Sequence, residues 1–260
     1  MDLELEGSVV VVTGGTDGLG LALARRLVVE GASVAICSRR SDAVTAATDE
    51  LIGCSSKQQV LGLVVDVTNP SAIEALASAT LARFGRVDGL VNNAGQSAAQ
   101  GVLHVDDAAW QADLDLKLFA AIRTTRAFAE SLKASKGSIL NVLAISGKHP
   151  GASTAPTSIS RAAGLALTKA TSKDLGPFGV RANAILIGFI ESGQWVRRAE
   201  EAGITMDRLA EQVSSGMGIP LGRMGRSEEF ADLAAFLLSA RASYVSGVGI
   251  NLDGGLSSAV

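Results

Sequence analysis

The sequence predicts one α/β domain spanning 1–260, a doubly wound parallel sheet of about seven strands with helices on both faces. Three observations predict it. Short β-rich runs alternate with longer helical stretches along the whole chain. The β-rich runs are apolar on both faces, as a sheet covered on both sides requires. The first run leads into a glycine cluster that opens a helix.

The elements follow in order. Val9–Val12 is a run of four valines and reads as a buried strand. The helix Leu19–Glu30 and the strand Val34–Cys37 come next, then the strand Leu61–Val65. The helix Ser71–Phe84 begins beside Pro70, which suits a helix start and not an interior. Leu90–Val91 is a short fourth strand, Asp106–Ala134 reads as one long helix, and Ile139–Leu143 is the fifth strand. The helix Thr157–Leu175, the strand Arg181–Ile187, the helix Ser227–Leu238 and the strand Gly249–Leu252 complete the series. Ser227 with Glu229 nearby marks the last helix start. The stretch 188–220 is long, polar and irregular, and it follows a strand end, where open α/β sheets place ligands. It reads as a substrate-covering region with a small helix around Met206–Ser214, because long loops in compact domains are usually functional.

Composition narrows the class. The chain is 47% hydrophobic over 260 residues, enough for a large core. Its net charge of −3 and lack of a basic cluster exclude nucleic acid as the main partner. No apolar run approaches the roughly 20 residues that cross a bilayer. Met1–Gly7 is acidic and lacks the order of a signal peptide, so a cytoplasmic protein acting on a small molecule is expected. Cys37 and Cys54 form neither a disulfide framework nor a metal pattern, and no metal site is expected.

The sharpest local signal is Thr13-Gly14-Gly15-Thr16-Asp17-Gly18-Leu19-Gly20, set between the first strand and the first helix. Missing side chains let backbone N–H groups approach a pyrophosphate, and the helix N-terminus adds its positive end. This predicts a Rossmann-like dinucleotide site, with Gly14, Thr16, Gly18, Leu19 and Gly20 in contact. The second strand ends Cys37-Ser38-Arg39-Arg40, where an acidic residue would hold an adenosine 2′-hydroxyl. Ser38 stands there instead and Arg39 follows, which favours NADP(H) over NAD(H) through a 2′-phosphate. The alternative is that Arg39 and Arg40 are solvated surface cations.

The spacing Thr-Gly-x-x-x-Gly-x-Gly resembles the short-chain dehydrogenase/reductase family, and further matches cover nearly the whole chain. Asp66-Val67 resembles that family's adenine contact, and Asn92-Asn93-Ala94-Gly95 its N-N-A-G turn, so Asp66, Val67, Asn92, Ala94 and Gly95 are implied cofactor residues. Asn183, Gly188, Ile190 and Ser192 match the segment that contacts nicotinamide, although Ile187 replaces the usual proline. Asp253-Gly254-Gly255 matches the closing D-G-G. The resemblance also implies a homodimer or homotetramer, paired through the helices Asp106–Ala134 and Thr157–Leu175, where Ala162, Ala163, Gly164 and Ala166 permit close approach.

The family's Asn-Ser-Tyr-Lys tetrad is missing. Trp110 sets the register that puts Lys117 at the asparagine position. Ala144 stands for the serine, Thr157 for the tyrosine and Arg161 for the lysine. The only tyrosine, Tyr244, lies near the C-terminus and reads as structural. Ser158-Ile159-Ser160-Arg161 resembles the S-x-x-R of a beta-ketoacyl-ACP-reductase-like branch. Arg161 keeps a cation for ribose hydroxyls, and Thr157 keeps a hydroxyl that alone is a poor acid. Lys117 is a candidate acid or base, its pKa depressed by a neighbouring Arg161; alternatively it extends to solvent or pairs with Asp113 or Asp115. Ser146 and His149 follow the fifth strand on the substrate rim, as catalytic candidates or as a turn hydroxyl and a solvated ring. Three functions remain open: an NADPH-dependent reductase of a carbonyl or activated enone with a rebuilt proton source, a non-redox lyase, isomerase or cyclase on the same fold, and an inactive nucleotide-binding partner or regulator.

Overall fold

The structure, a computed structural model, describes residues 2–55 and 59–259. Among these, the strands are β1 (Val9–Thr13), β2 (Ser33–Ser38), β3 (Val60–Val64), β4 (Gly89–Asn92), β5 (Ser138–Ala144), β6 (Arg181–Ile187) and β7 (Gly249–Leu252). They form one seven-stranded sheet in the order β3-β2-β1-β4-β5-β6-β7, and every pair is parallel. The helices are α1 (Gly18–Val29), α2 (Ser41–Gly53), α3 (Pro70–Phe84), α4 (Asp107–Leu114), α5 (Ala120–Ser135), α6 (Thr157–Leu175), α7 (Gly193–Glu201), α8 (Met206–Met217) and α9 (Ser227–Leu238).

The two-residue period of β1 divides the core. Val10 and Val12 point to one face and pack with Leu23 and Leu27 of α1 and Phe230 and Ala234 of α9. Val9 and Val11 point to the other and pack with Leu76 of α3 and Phe128 and Leu132 of α5. The expected doubly wound sheet is therefore present, with helices on both faces. Among the described residues, no helix is long and apolar enough to cross a membrane.

Several local expectations change. The expected helix Asp106–Ala134 is broken: α4 passes into a π turn over Asp115–Phe119, in which the Ala120 N–H reaches back to Asp115 O, before α5 begins. α2 was not foreseen because its buried stripe is sparse, only Val44, Ala47 and Leu51. The 188–220 region is largely helical, with α7 and a longer α8, and is not irregular. α3 starts one residue earlier, at Pro70, and Asn69 caps it, accepting from the Ser71 and Ala72 N–H groups.

The glycine turn is compressed against its surroundings. A Cβ on Gly15 would lie 2.7 Å from the Ile36 side chain. A Cβ on Gly20 would lie 2.3 Å from Gly14 O and 2.6 Å from Asn93 Nδ2. These two glycines serve close packing of strand, turn and helix. Gly20→Ala is expected to cost about 2 kcal/mol or more, since overpacking against backbone typically costs 1–3 kcal/mol. Urea denaturation followed by circular dichroism checks this.

Candidate functional site

Strand order reverses between β1 and β4, and ligands in open sheets bind at the carboxyl ends beside such a reversal. One hydroxyl joins the two strand ends. Thr13 Oγ1 donates to Val91 O (3.2 Å) and accepts from the Asn93 and Ala94 N–H groups (3.0 and 3.1 Å). The Asn93 amide donates to the carbonyls of Thr13 and Gly14, both at 3.0 Å. The glycine turn and the Asn92–Gly95 turn are thus held as one unit.

The Asn92 side chain has interior partners. It accepts from Thr124 Oγ1 (2.6 Å) and donates to Asn141 Oδ1 (2.9 Å), and Asn141 donates in turn to Thr168 Oγ1 (2.9 Å). This buried chain fastens β4 and β5 to α5 and α6. Asn183 is likewise internal, donating to Val245 O (2.8 Å). Both amides satisfy interior partners, as buried polar groups must.

Three of the expected catalytic positions come together. Lys117 lies in the π turn, a feature frequent at functional sites, with its side chain closed off from solvent. It pairs with buried Asp113 and donates to Thr157 Oγ1 at 2.9 Å. The other Asp113 oxygen accepts from Ser160 Oγ (2.6 Å). Thr157 Oγ1 also accepts from the Ala98 N–H (3.0 Å). Lys117 therefore pairs with Asp113 and faces the Thr157 position at once; the two readings of the sequence are not exclusive. Its pKa is lowered, and the main cause is burial. The Asp113 carboxylate opposes the shift, and the Arg161 charge, expected to dominate, only adds to it.

Arg161 turns inward. Its Nη1 donates to Val142 O (2.9 Å), and a Cβ on Gly95 would lie 2.8 Å from its Nη2. Burial brings its pKa down to about 10, with Asp113 opposing, so it stays a cation at neutral pH. Its buried Nε has no acceptor among the described residues. Ser146 lies in a short turn, Ile145–Gly147, packed on α6 so closely that a Cβ on Gly147 would be 2.9 Å from the Arg161 carbonyl carbon. His149 is exposed and meets Ser258 Oγ at 3.2 Å, outside the Lys117 cluster. Tyr244 is fully exposed and fills no packing role.

The cofactor candidates divide. Val67, Asn92, Ala94 and Lys117 line a small cavity of about 10 Å³ beside Thr13, room for one water at most. Thr16 and Leu19 are half-buried on the glycine turn. Asp66 accepts from the Thr68 N–H (2.9 Å) and Oγ1 (2.7 Å), bonds that lower its pKa, with the Arg39 charge adding to the effect. Ser38 Oγ accepts from the Arg40 N–H (3.4 Å), and Arg39 is exposed beside it. Gly188 is required by packing, since a Cβ would lie 2.7 Å from Asp253 Cβ. Ile190 is buried in the core, and Ser192 precedes α7 directly over Gly18. The residues present fit a dinucleotide: a left-handed Gly18 at the head of α1, an exposed arginine past β2, and a buried guanidinium N–H without an acceptor. Sequence reasoning passed over Thr13, Asn93 and Ser160 as site residues. The Asp113–Lys117 pair has the i, i+4 spacing that could have promoted it.

A larger cavity of about 360 Å³ lies beside α8, lined by Glu191, Asp207, Glu211, Arg223 and Arg226 among others, away from this cluster.

The fold and motifs recur in known proteins. The chain is 30% identical over 255 residues to a 3-oxoacyl-[acyl-carrier-protein] reductase of Vibrio cholerae, covering 98% of this chain and 99% of that one. It superimposes on a short-chain oxidoreductase of Pseudomonas aeruginosa PAO1 with an atypical catalytic center, solved with NADPH (TM-score 0.92, 35% identity, 97% and 98% of the two chains). It also matches L-sorbose reductase of Gluconobacter frateurii, solved with NADPH and L-sorbose (TM-score 0.95, 29% identity, 100% of both chains). With the family model described as enoyl-(acyl carrier protein) reductase matching residues 14–257, the chain belongs to the short-chain dehydrogenase/reductase family of oxidoreductases.

Proposed function

We propose that this chain binds NADP(H) in preference to NAD(H) and reduces a carbonyl or activated enone on a small molecule, with the proton passing from Lys117 through Thr157. The reading is of a cytoplasmic homodimer or homotetramer. When bound, the reduced nucleotide supplies a hydride to the substrate carbon. NADPH in the solved relatives supports a nicotinamide dinucleotide here, and the exposed Arg39 with Ser38 in place of a carboxylate supports the phosphorylated form.

One observation carries the proton assignment. Thr157 Oγ1 accepts two hydrogen bonds, from Lys117 Nζ and the Ala98 N–H. Both lone pairs are engaged, so its own O–H is left to donate. As that proton moves to the developing substrate oxygen, the Lys117 ammonium replaces it, leaving a neutral amine beside Asp113. Burial lowers the Lys117 pKa and makes this release easier, while Asp113 keeps the resting charge in place. Ser146 and His149 stand on the rim as substrate-contact candidates, and Arg161 offers its Nε–H to a ribose hydroxyl.

The test is single-turnover NADPH oxidation against a panel of carbonyls and enones. Thr157→Val is expected to slow oxidation by about 10²-fold or more, and Thr157→Ser to restore most of it, since positioned acid–base groups supply about 10²–10⁴. Oxidation by the wild type with no panel member, despite NADPH binding, would sink the reductase reading. Product without a change in nicotinamide absorbance would favour lyase or isomerase chemistry instead.

Lys117 must be protonated to act, so the rate is present below its pKa and lost as pH rises through it. The fall is expected below the ordinary lysine value of about 10.4, in the direction that burial sets. Lys117→Arg keeps the charge but has no proton to release at neutral pH, so it should slow oxidation and remove the fall; an unchanged rate and pH profile would exclude Lys117 as the donor. For the nucleotide, Arg39→Leu is expected to weaken NADPH about tenfold, one charge-assisted contact, with NADH nearly unaffected. Equal losses for both nucleotides in a fluorescence titration would remove Arg39 as the selecting residue.

A further inference from the structure

Asp17 holds a position that an anion would hold. One of its carboxylate oxygens accepts from the Gly18 N–H (2.7 Å) at the start of α1. The other accepts from Arg197 Nη1 (3.1 Å) on α7. The first turn of α7 sits directly on this group. A Cβ on Gly193 would lie 2.4 and 2.5 Å from the two carboxylate oxygens, and a Cβ on Gly18 would lie 3.2 Å from Ser192 Cβ and 3.8 Å from the Gly193 nitrogen. The carboxylate thus lies between the N-terminal ends of two helices, with a guanidinium on a further side. Such ends carry unpaired N–H groups and partial positive charge, and they attract phosphates. Asp17 is the N-cap of α1, and neither helix has a further acidic residue in its first turn. Glycine at 193 is what makes room for the carboxylate.

We propose that Asp17 is a built-in occupant of the anion position at the head of α1, competing with the pyrophosphate of the dinucleotide, and that Arg197 passes from Asp17 to that phosphate on binding. This rests on the nucleotide reading above. No covalent bond is made or broken; one anion replaces another at the same donors. The exchange is feasible because the resident pair is half-exposed, with side chains 57% and 60% accessible, and exposed pairs are worth little. A phosphate offers the same donors charge-assisted bonds of its own. α7 is therefore seated on the glycine turn through this pair, and affinity is set by the difference between the two anions.

Trp195 reports the seat. It lies in α7 with its ring 5.7 Å from that of Phe189. The experiment titrates the full chain with NADPH and with NADH, reading nucleotide binding by calorimetry and α7 by tryptophan emission, with Trp195→Phe to assign the signal. Asp17→Asn keeps a capping oxygen and removes the charge. It is expected to bind both nucleotides about fivefold tighter, the upper end for one exposed ion pair, and to show altered Trp195 emission before nucleotide is added. Gly193→Ala, which crowds the carboxylate without changing any charge, should shift affinity the same way. Arg197→Gln should cost more affinity in the Asp17→Asn background than in the wild type, because only there is its loss not offset by a weaker latch. If the wild type binds and Asp17→Asn gains nothing, the latch fails alone. If neither binds either nucleotide, the nucleotide reading fails and takes the latch with it. Tightening of NADPH but not NADH would place Asp17 against the 2′-phosphate and overturn the proposal.

Discussion

A carboxylate and an ammonium closed away from water fix the geometry of the candidate site. Burying such a pair is expensive, and well-packed apolar residues of similar volume are often as stable or more so. Stability alone therefore does not account for Asp113 and Lys117. Their value lies in what they position. Both Asp113 oxygens are engaged, by Lys117 and Ser160. Lys117 has a further N–H directed at Thr157. The bonds to Thr157 and Ser160 set the register of the end of α4 and the π turn against the start of α6, which also carries Arg161. Removing either charge would leave the other uncompensated in the interior, so the site is coupled as a whole.

The nucleotide side of the crevice is built differently. Its floor is rigid: Thr13 and Asn93 clamp two turns together, and Gly15 and Gly20 admit no extra atom. The α7 side is packed more lightly. α7 is mostly exposed and polar and is seated by an accessible ion pair, with Ala199 its buried anchor. The two sides meet at Gly18, the glycine whose left-handed backbone (φ +52°) lies under Ser192.

Most of the sheet was legible because a parallel sheet buried on both faces leaves unbroken apolar runs, as in Val9–Thr13. α2 was not, since its buried stripe, Val44, Ala47 and Leu51, has helical spacing but only three members, set among small and polar residues. The π turn was not, since the residues on either side continue a helical pattern and the extra residue is a matter of backbone hydrogen bonding. Motif position names a segment and not a side-chain contact: Asn92 and Asn183 fall in segments expected at the nucleotide, and their side-chain amides have interior partners. At Lys117 the spacing to Asp113 was readable, but not that both would be buried against α6. Burial there depends on helix packing, and it is burial, more than the Arg161 charge, that lowers the lysine pKa.

The absent tyrosine takes on a different meaning in this setting. A tyrosine can lose its proton to a substrate and exist briefly as a phenolate. A threonine alkoxide is far too basic for that, so Thr157 can serve only if a second group supplies its proton as the first one leaves. Such a group must touch the hydroxyl, carry a proton at rest and part with it readily. Lys117 meets the first condition at 2.9 Å, Asp113 secures the second, and burial promotes the third. The same logic bears on the substrate. Because the threonine hydroxyl only passes a proton on, both transfers must proceed together, so the proposed reaction suits acceptors that already draw the hydride, such as conjugated carbonyls, better than simple ketones.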